Sequence, residues 1–202
     1  MKIVNIKAYE FNELDEKGKS RVKDWLDPCF EMDEDTDSLK KEFLSCVNEP
    51  VISWTGFWSQ GDGASFTGTL NDDKVVEFIR NDKSLVILNK IVERGGDVGL
   101  SVSFDRTTHQ YSHEMTCTTN VHDISERSDD WSDDAYNEFY KEIEGLEKDI
   151  EGWRLSACFK IYRSLEESYE HYRSDEYIQE LCDANEYMFN VRGECIDSMI
   201  VA

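Results

Sequence analysis

Apolar residues recur along this chain with two different periods. In MKIVNIKAYEF, Ile3, Val4, Ile6 and Ala8 are interleaved with polar residues, which predicts a first strand over residues 2–11. NELDEKGKSRVKDWL then reads as a helix. Leu14, Val22, Trp25 and Leu26 supply an apolar stripe, Asn12 or Asp15 can cap the free amides, and Asp27 with Pro28 stops it. A second helix after CFEMDEDTDSL places Leu39, Phe43, Cys46 and Val47 on one face. From Val51 to Leu70 the pattern is strand, glycine-rich turn, strand. Residues 73–94 are predicted helical with a break near Asn81, and the glycines of ERGGDVG suit a C-cap. VGLSVSF and SHEMTCTTNV read as two further strands, joined through DRTTHQY as a hairpin.

After Val121 the period lengthens. Phe139, Ile143, Leu146, Ile150, Trp153, Ala157, Ile161 and Leu165 follow at steps of three or four, the signature of one continuous apolar helix face. The predicted helix spans about Asp133 to Arg173, roughly 60 Å at 1.5 Å per residue. Gly145 and Gly152, each costing about 1 kcal/mol relative to alanine, are the places where it could bend. Ser174 then caps a short helix, DEYIQELCDAN, and EYMFNVRGECIDSMIV reads as two strands about an Arg192-Gly193 turn. The sum is an α+β fold: a mainly antiparallel sheet packed on one face by helices, organised as a single domain over residues 1–202.

Charge narrows the function. The 202 residues contain 44 acids and 22 bases, a formal net charge of −22, so a nucleic-acid backbone or an anionic membrane surface would be repelled. No apolar run is long enough for a transmembrane helix, and the N-terminus lacks the pattern of a signal peptide, which predicts a cytoplasmic protein. Six scattered cysteines with no C-x-x-C pair read as free thiols in a reducing compartment. Two stretches concentrate the acidity: Asp27, Glu31, Asp33, Glu34, Asp35 and Asp37, with no base among them, and Asp123, Glu126, Asp129, Asp130, Asp133 and Asp134, with Arg127 alone against them. Such stretches are solvated helix faces in most acidic proteins; the functional alternative is a surface that attracts a basic protein, or that imitates a nucleic-acid strand.

Candidate chemistry centres on GFWSQGDGASFTG, Gly56 to Gly68. Its glycines could bring backbone amides to a phosphate, but the following helix and the Lys-Ser/Thr pair of a P-loop are missing. Trp54, Phe57, Trp58 and Phe66 could form a stacking platform, with Trp58, Gln60 and Asp62 as a ligand loop. The competing interpretation is core aromatics flanking a tight turn, and the turn chemistry of QGDG favours it. His109, His113, Cys117 and His122, with Glu114, suggest a metal. Four-residue steps along a strand separate the first three by about 13 Å, too far for one ion, so neither metal nor cofactor is predicted. No ordered catalytic motif is present, and the expectation is a non-enzymatic protein.

YEFNELDEKGKSRVKDWL, GFWSQGDGASFTG and DEYIQELCDANEYMFNVRGE together resemble a family of small acidic accessory proteins of tailed bacteriophages, sometimes labelled antitoxin-like. The likeness covers about a third of the chain and brings no catalytic residues. It implies an inhibitor of host defence, of the anti-restriction, anti-CRISPR or BREX-inhibiting type, such as a vibriophage anti-BREX protein. The expected function is counter-defence in the host cytoplasm, by binding a host defence protein such as an ATPase or a DNA-binding subunit through the two acidic stretches. Trp131 is an anchor, and mimicry of DNA or a blocked assembly is the mode. The long helix also offers a face for a homodimer. The alternative is a ligand-binding or enzymatic module built on Trp58, Asp62 and the His109 to His122 segment.

Overall fold

The computed structural model describes residues 7–27, 32–96, 98–108, 110–124 and 132–196. In chain order its elements are α1 (Glu16–Leu26), α2 (Asp33–Phe43), β1 (Val47–Thr55), β2 (Gly63–Leu70), α3 (Asp72–Asn81), α4 (Val86–Glu93), β3 (Leu100–Arg106), β4 (Cys117–Asp123), α5 (Asp133–Tyr172) and α6 (Asp175–Ala184). The fold is α+β, as the periodicities predict. Internal contacts divide the chain into two compact units. Unit 1 comprises residues 1–35 and 165–202, and unit 2 comprises residues 36–164.

Unit 2 is built on an antiparallel sheet of order β1-β2-β3-β4. In β3 the alternation is clear: Leu100, Val102 and Phe104 are buried while Ser101 and Ser103 are not. The edge strand β1 carries a register shift between Asn48 and Val51, with Pro50 inside it and Glu49 at φ +50°. An edge is where a strand tolerates proline and a bulge. Gly68 on the neighbouring strand meets this irregularity at φ +142°; a Cβ there would come within 2.6 Å of Val47 Cγ1 and 2.7 Å of the Asn48 carbonyl. Helices cover the face carrying Phe66 and Phe104, whose rings are 5.1 Å apart. Trp153 of α5 packs against both, at 6.0 and 5.8 Å. The break expected near Asn81 falls between α3 and α4. There the Asn89 amide donates to the carbonyls of Ile79, in the last turn of α3, and of Asp82 and Leu85 in the connection, tying the two helices together.

Unit 1 gathers Phe11, Leu14, Val22, Leu26, Ile178, Cys182, Phe189 and Cys195 into its own core. Asp15 caps α1 by accepting from Gly18 N, and Ser174 caps α6 by accepting from Tyr177 N. The strands expected at the two chain ends are reduced. Among the described residues the first is a single bridge, Tyr9 to Phe189, followed by a 3-10 turn at Phe11–Glu13; residues 1–6 lie outside them. Among the described residues the second is a bridge from Phe189 to Cys195; residues 197–202 lie outside them. Here Asn190 Oδ1 accepts from Arg192 N and Glu194 N, side-chain bonds that favour a tight turn over a ladder. Gly193, at φ +76°, lies directly against the Gly18 backbone of α1, where a Cβ would overlap the Gly18 carbonyl.

Candidate binding surfaces

The loop from Gly56 to Gly63 is held by its own carboxylate. Asp62 Oδ2 accepts from Trp58 N at 2.8 Å and Ser59 N at 2.5 Å, while Asp62 N donates to the Ser59 carbonyl. Gly56, at φ +34°, leaves the room this carboxylate needs, since a Cβ there would sit 2.6 Å from Asp62 Oδ2. The aromatics separate. Phe66 is fully buried, and Phe57 is 7 % exposed, stacked on Trp54 at 5.2 Å and packed on Tyr162 of α5 at 5.7 Å. Trp58 alone stands out, at 73 % exposed. The residues read as a ligand loop are therefore a pinned turn displaying one indole, with Gln60 exposed beside it.

The histidine segment disperses as well. His113 Nδ1 accepts from Met115 N at 3.2 Å, and its Nε2 lies 3.2 Å from Glu114 Oε2. His122 is exposed, Cys117 is buried with its thiol donating to the Phe66 carbonyl, and His109 lies outside the described residues. Among the described residues no three His, Cys, Asp or Glu side chains are placed to hold one metal ion. Burial pushes the Cys117 thiol up and the Cys158 thiol up to about 12, so both are protonated near neutral pH.

Beside them sits a buried charge that lies within the apolar register of α5. Arg154 of α5 is 1 % exposed, with Nε on Glu151 Oε2 at 2.9 Å, Nη2 on Glu151 Oε1, and Nη1 on the Glu114 carbonyl at 2.6 Å. Glu151 also accepts from Thr119 Oγ1 of β4 at 2.5 Å. The Arg154 guanidinium holds its carboxyl below the usual range. A cavity of about 470 Å³ opens here, lined by Thr118, Thr119, Glu144, Glu147, Lys148 and Glu151. Glu142 is buried too, and its carboxylate accepts from Ile87 N and Leu88 N at 2.9 to 3.0 Å, so that α5 caps α4. A signal was available: Arg154 lies four residues after Ile150, and Glu142 three after Phe139, so both are charged residues within the apolar register.

The two acidic stretches fare differently. In the first, Asp27 accepts from Tyr169 Oη at 2.7 Å and Arg173 Nη1 at 2.6 Å, and Asp35 accepts from Ser168 Oγ at 3.2 Å and Tyr172 Oη at 2.9 Å. Asp37 is paired with Lys40 at 2.8 Å; Asp33 and Glu34 are exposed in the first turn of α2, and Glu31 lies outside the described residues. In the second, Glu126, Asp129, Asp130 and Trp131 lie outside them. Asp123 accepts from Tyr140 Oη at 3.4 Å, and Asp133 and Asp134 are exposed in the first turn of α5. From Asp133 to Glu151 the helix carries eight acids and two bases, and from Gly152 to Ser164 no acid and three bases. Asp133, Glu144, Glu147 and Glu151 fall on one stripe of α5, at near-heptad steps, and the last three line the cavity beside β4.

No helix among the described residues is long and apolar enough to cross a membrane. No curated protein and no solved structure matches the chain. One family model does, over residues 29–175, taking in all of unit 2 and leaving out α1 and nearly all of α6. That span is almost three quarters of the sequence, and the chain belongs to the family described as Domain of unknown function (DUF8835).

Proposed function

We propose that this chain is a counter-defence protein of a tailed bacteriophage, acting in the cytoplasm of the infected host by binding one protein component of an antiphage system of the BREX or restriction type. The observation that carries this reading is the carboxylate stripe of α5. Glu144, Glu147 and Glu151 face a hollow of about 470 Å³, wide enough to admit a lysine or arginine side chain, and Asp133 extends the stripe toward the helix start, where the macrodipole favours negative charge. Asp27 and Asp35 contribute field rather than contacts, because their oxygens already serve unit 1. Trp58, exposed on a pinned loop, adds an aromatic anchor whose placement costs little entropy on binding.

The test is affinity capture of the tagged protein from infected bacteria that carry a defence system, together with phage plating on the same host. Wild type retains a defence subunit and protects the phage. Asp133→Lys/Glu144→Lys/Glu147→Lys, still folded by circular dichroism, loses both. Retention of both by that variant would remove the acidic stripe from the function. If the stripe imitates DNA, added duplex competes with capture; if it blocks an assembly, added duplex has no effect.

A further inference from the structure

A different side of α5 carries an ordered pattern of charge. About 100° around the helix from the carboxylate stripe, Asp134, Glu138, Lys148, Gly152, Ser156, Phe159 and Arg163 follow at steps close to the helical repeat, and all are exposed. Acids occupy the start of this face. Lys148 and Asp149 sit side by side at its middle, and Phe159, Lys160 and Arg163 close the part of the face that lies in unit 2, before Glu166, Glu167 and Glu170. Phe159 is 62 % exposed, a large apolar side chain held outward. The Glu138 to Lys141 contact on this face is only 4.0 Å, between side chains more than half exposed, so it ties down little of those two charges.

We infer that this face of α5 pairs with the same face of a second copy of the chain, antiparallel, about a two-fold axis passing between Lys148 and Asp149. Two helices related in that way place Arg163 opposite Asp134 of the mate, Lys160 and Phe159 opposite the region of Glu138, and Lys148 opposite Asp149. Each pairing occurs twice, as an isologous interface requires. A parallel arrangement would set Asp134 on Asp134 and Arg163 on Arg163, so the order of charge selects the antiparallel one. Gly152, with no atom within 4 Å of where a Cβ would stand, leaves room for the mate near the axis. Phe159 is covered by the methylene stems around Glu138 and Lys141 of the mate. The occupant is a second copy because one face supplies both complementary halves. The inference does not rest on the counter-defence reading: Lys148 also lines the hollow, but Asp134, Glu138, Lys160 and Arg163, the residues reversed in the test, do not.

Sedimentation equilibrium over a concentration series tests it. Wild type is expected to rise from 23.5 kDa toward twice that mass, less steeply at high salt. Lys160→Glu/Arg163→Glu and Asp134→Lys/Glu138→Lys, each with unchanged helical circular dichroism, should each remain monomeric at the same concentrations. An equimolar mixture of the two restores the doubled mass, because each reversed half then meets its complement. A wild type that stays at monomer mass throughout, reversed variants that dimerise as wild type does, or a mixture that stays monomeric would each overturn the antiparallel pairing.

Discussion

Unit 1 and unit 2 carry similar excesses of negative charge and use them in different ways. Residues 1–35 and 165–202 hold 20 acids and eight bases, and residues 36–164 hold 24 acids and 14 bases. In unit 1 the carboxylates are acceptors for the unit's own donors: Asp27 for Tyr169 and Arg173, Asp24 for Arg173, Asp35 for Tyr172, and Asp175 for Lys19 and Lys23. In unit 2 Arg154 and Glu142 are committed inside the core, while much of the acid run along α5 faces outward. The density of acids along a chain therefore says little about which of them are available to a partner. What distinguishes them is whether a donor lies within reach, and those donors come from distant parts of the sequence.

Arg154→Ala should separate the units most sharply. It removes a guanidinium that three acceptors surround, and is expected to destabilise unit 2 by about 3 kcal/mol, discounted because Glu151 is partly exposed. Chemical denaturation followed by tryptophan fluorescence reads it, and a midpoint shift too small to resolve would show the pair to be dispensable for stability. Glu142→Ala leaves two amides of α4 without their cap and should cost about 1–2 kcal/mol in the same experiment. On the unit 1 side, Asp27→Ala strips an acceptor from Tyr169 and Arg173, both part-buried, and should cost about 1 kcal/mol. Hydrogen exchange in α1 and α6 would register this loss while β2 and β3 stay protected.

A pH titration probes the same contrast more gently. Burial, and then the Asp35 carboxylate, push the Tyr172 hydroxyl up to about 12, above the ordinary value near 10. A raised value means that its contribution to folding is intact below pH 10 and is lost as pH climbs through about 12. Unit 1 should loosen in that window, seen as lost near-ultraviolet dichroism, and Tyr172→Phe should remove the step. In unit 2 the corresponding loss lies on the acid side, because Arg154 holds the Glu151 carboxyl low and protonation below the usual carboxylate range releases it. Smallest of all is the expected effect of Asp133→Asn/Glu144→Gln, whose melting curve should overlay that of wild type.

The regular elements of unit 2 could be read from the residues. The three- and four-residue steps from Phe139 to Leu165 placed α5 within a residue or so of its bounds, and the turn residues near Asn81 marked the gap between α3 and α4. Asp15 and Ser174 cap as their positions suggest. At the chain ends the described residues form single bridges, and Gly193 packs directly on Gly18, a contact 175 residues apart that no local pattern announces. The roles of Asp27 and Asp35 were hidden for a geometric reason: their donors lie 133 to 146 residues downstream. Trp25, placed in the apolar stripe of α1, is 41 % exposed because it lies edge-on against Tyr187 at the rim of the core.

The reach of Glu142 also bears on the order in which the chain acquires structure. An eight-residue helix has too few internal hydrogen bonds to persist alone in water, and α4 has no cap from its own neighbours, since Leu85 occupies that position. Its first amides are satisfied by a carboxylate 54 to 55 residues further on. Closing so long a loop must precede the reward, which places α4 among the late steps of folding and makes its persistence a report on whether α5 has docked.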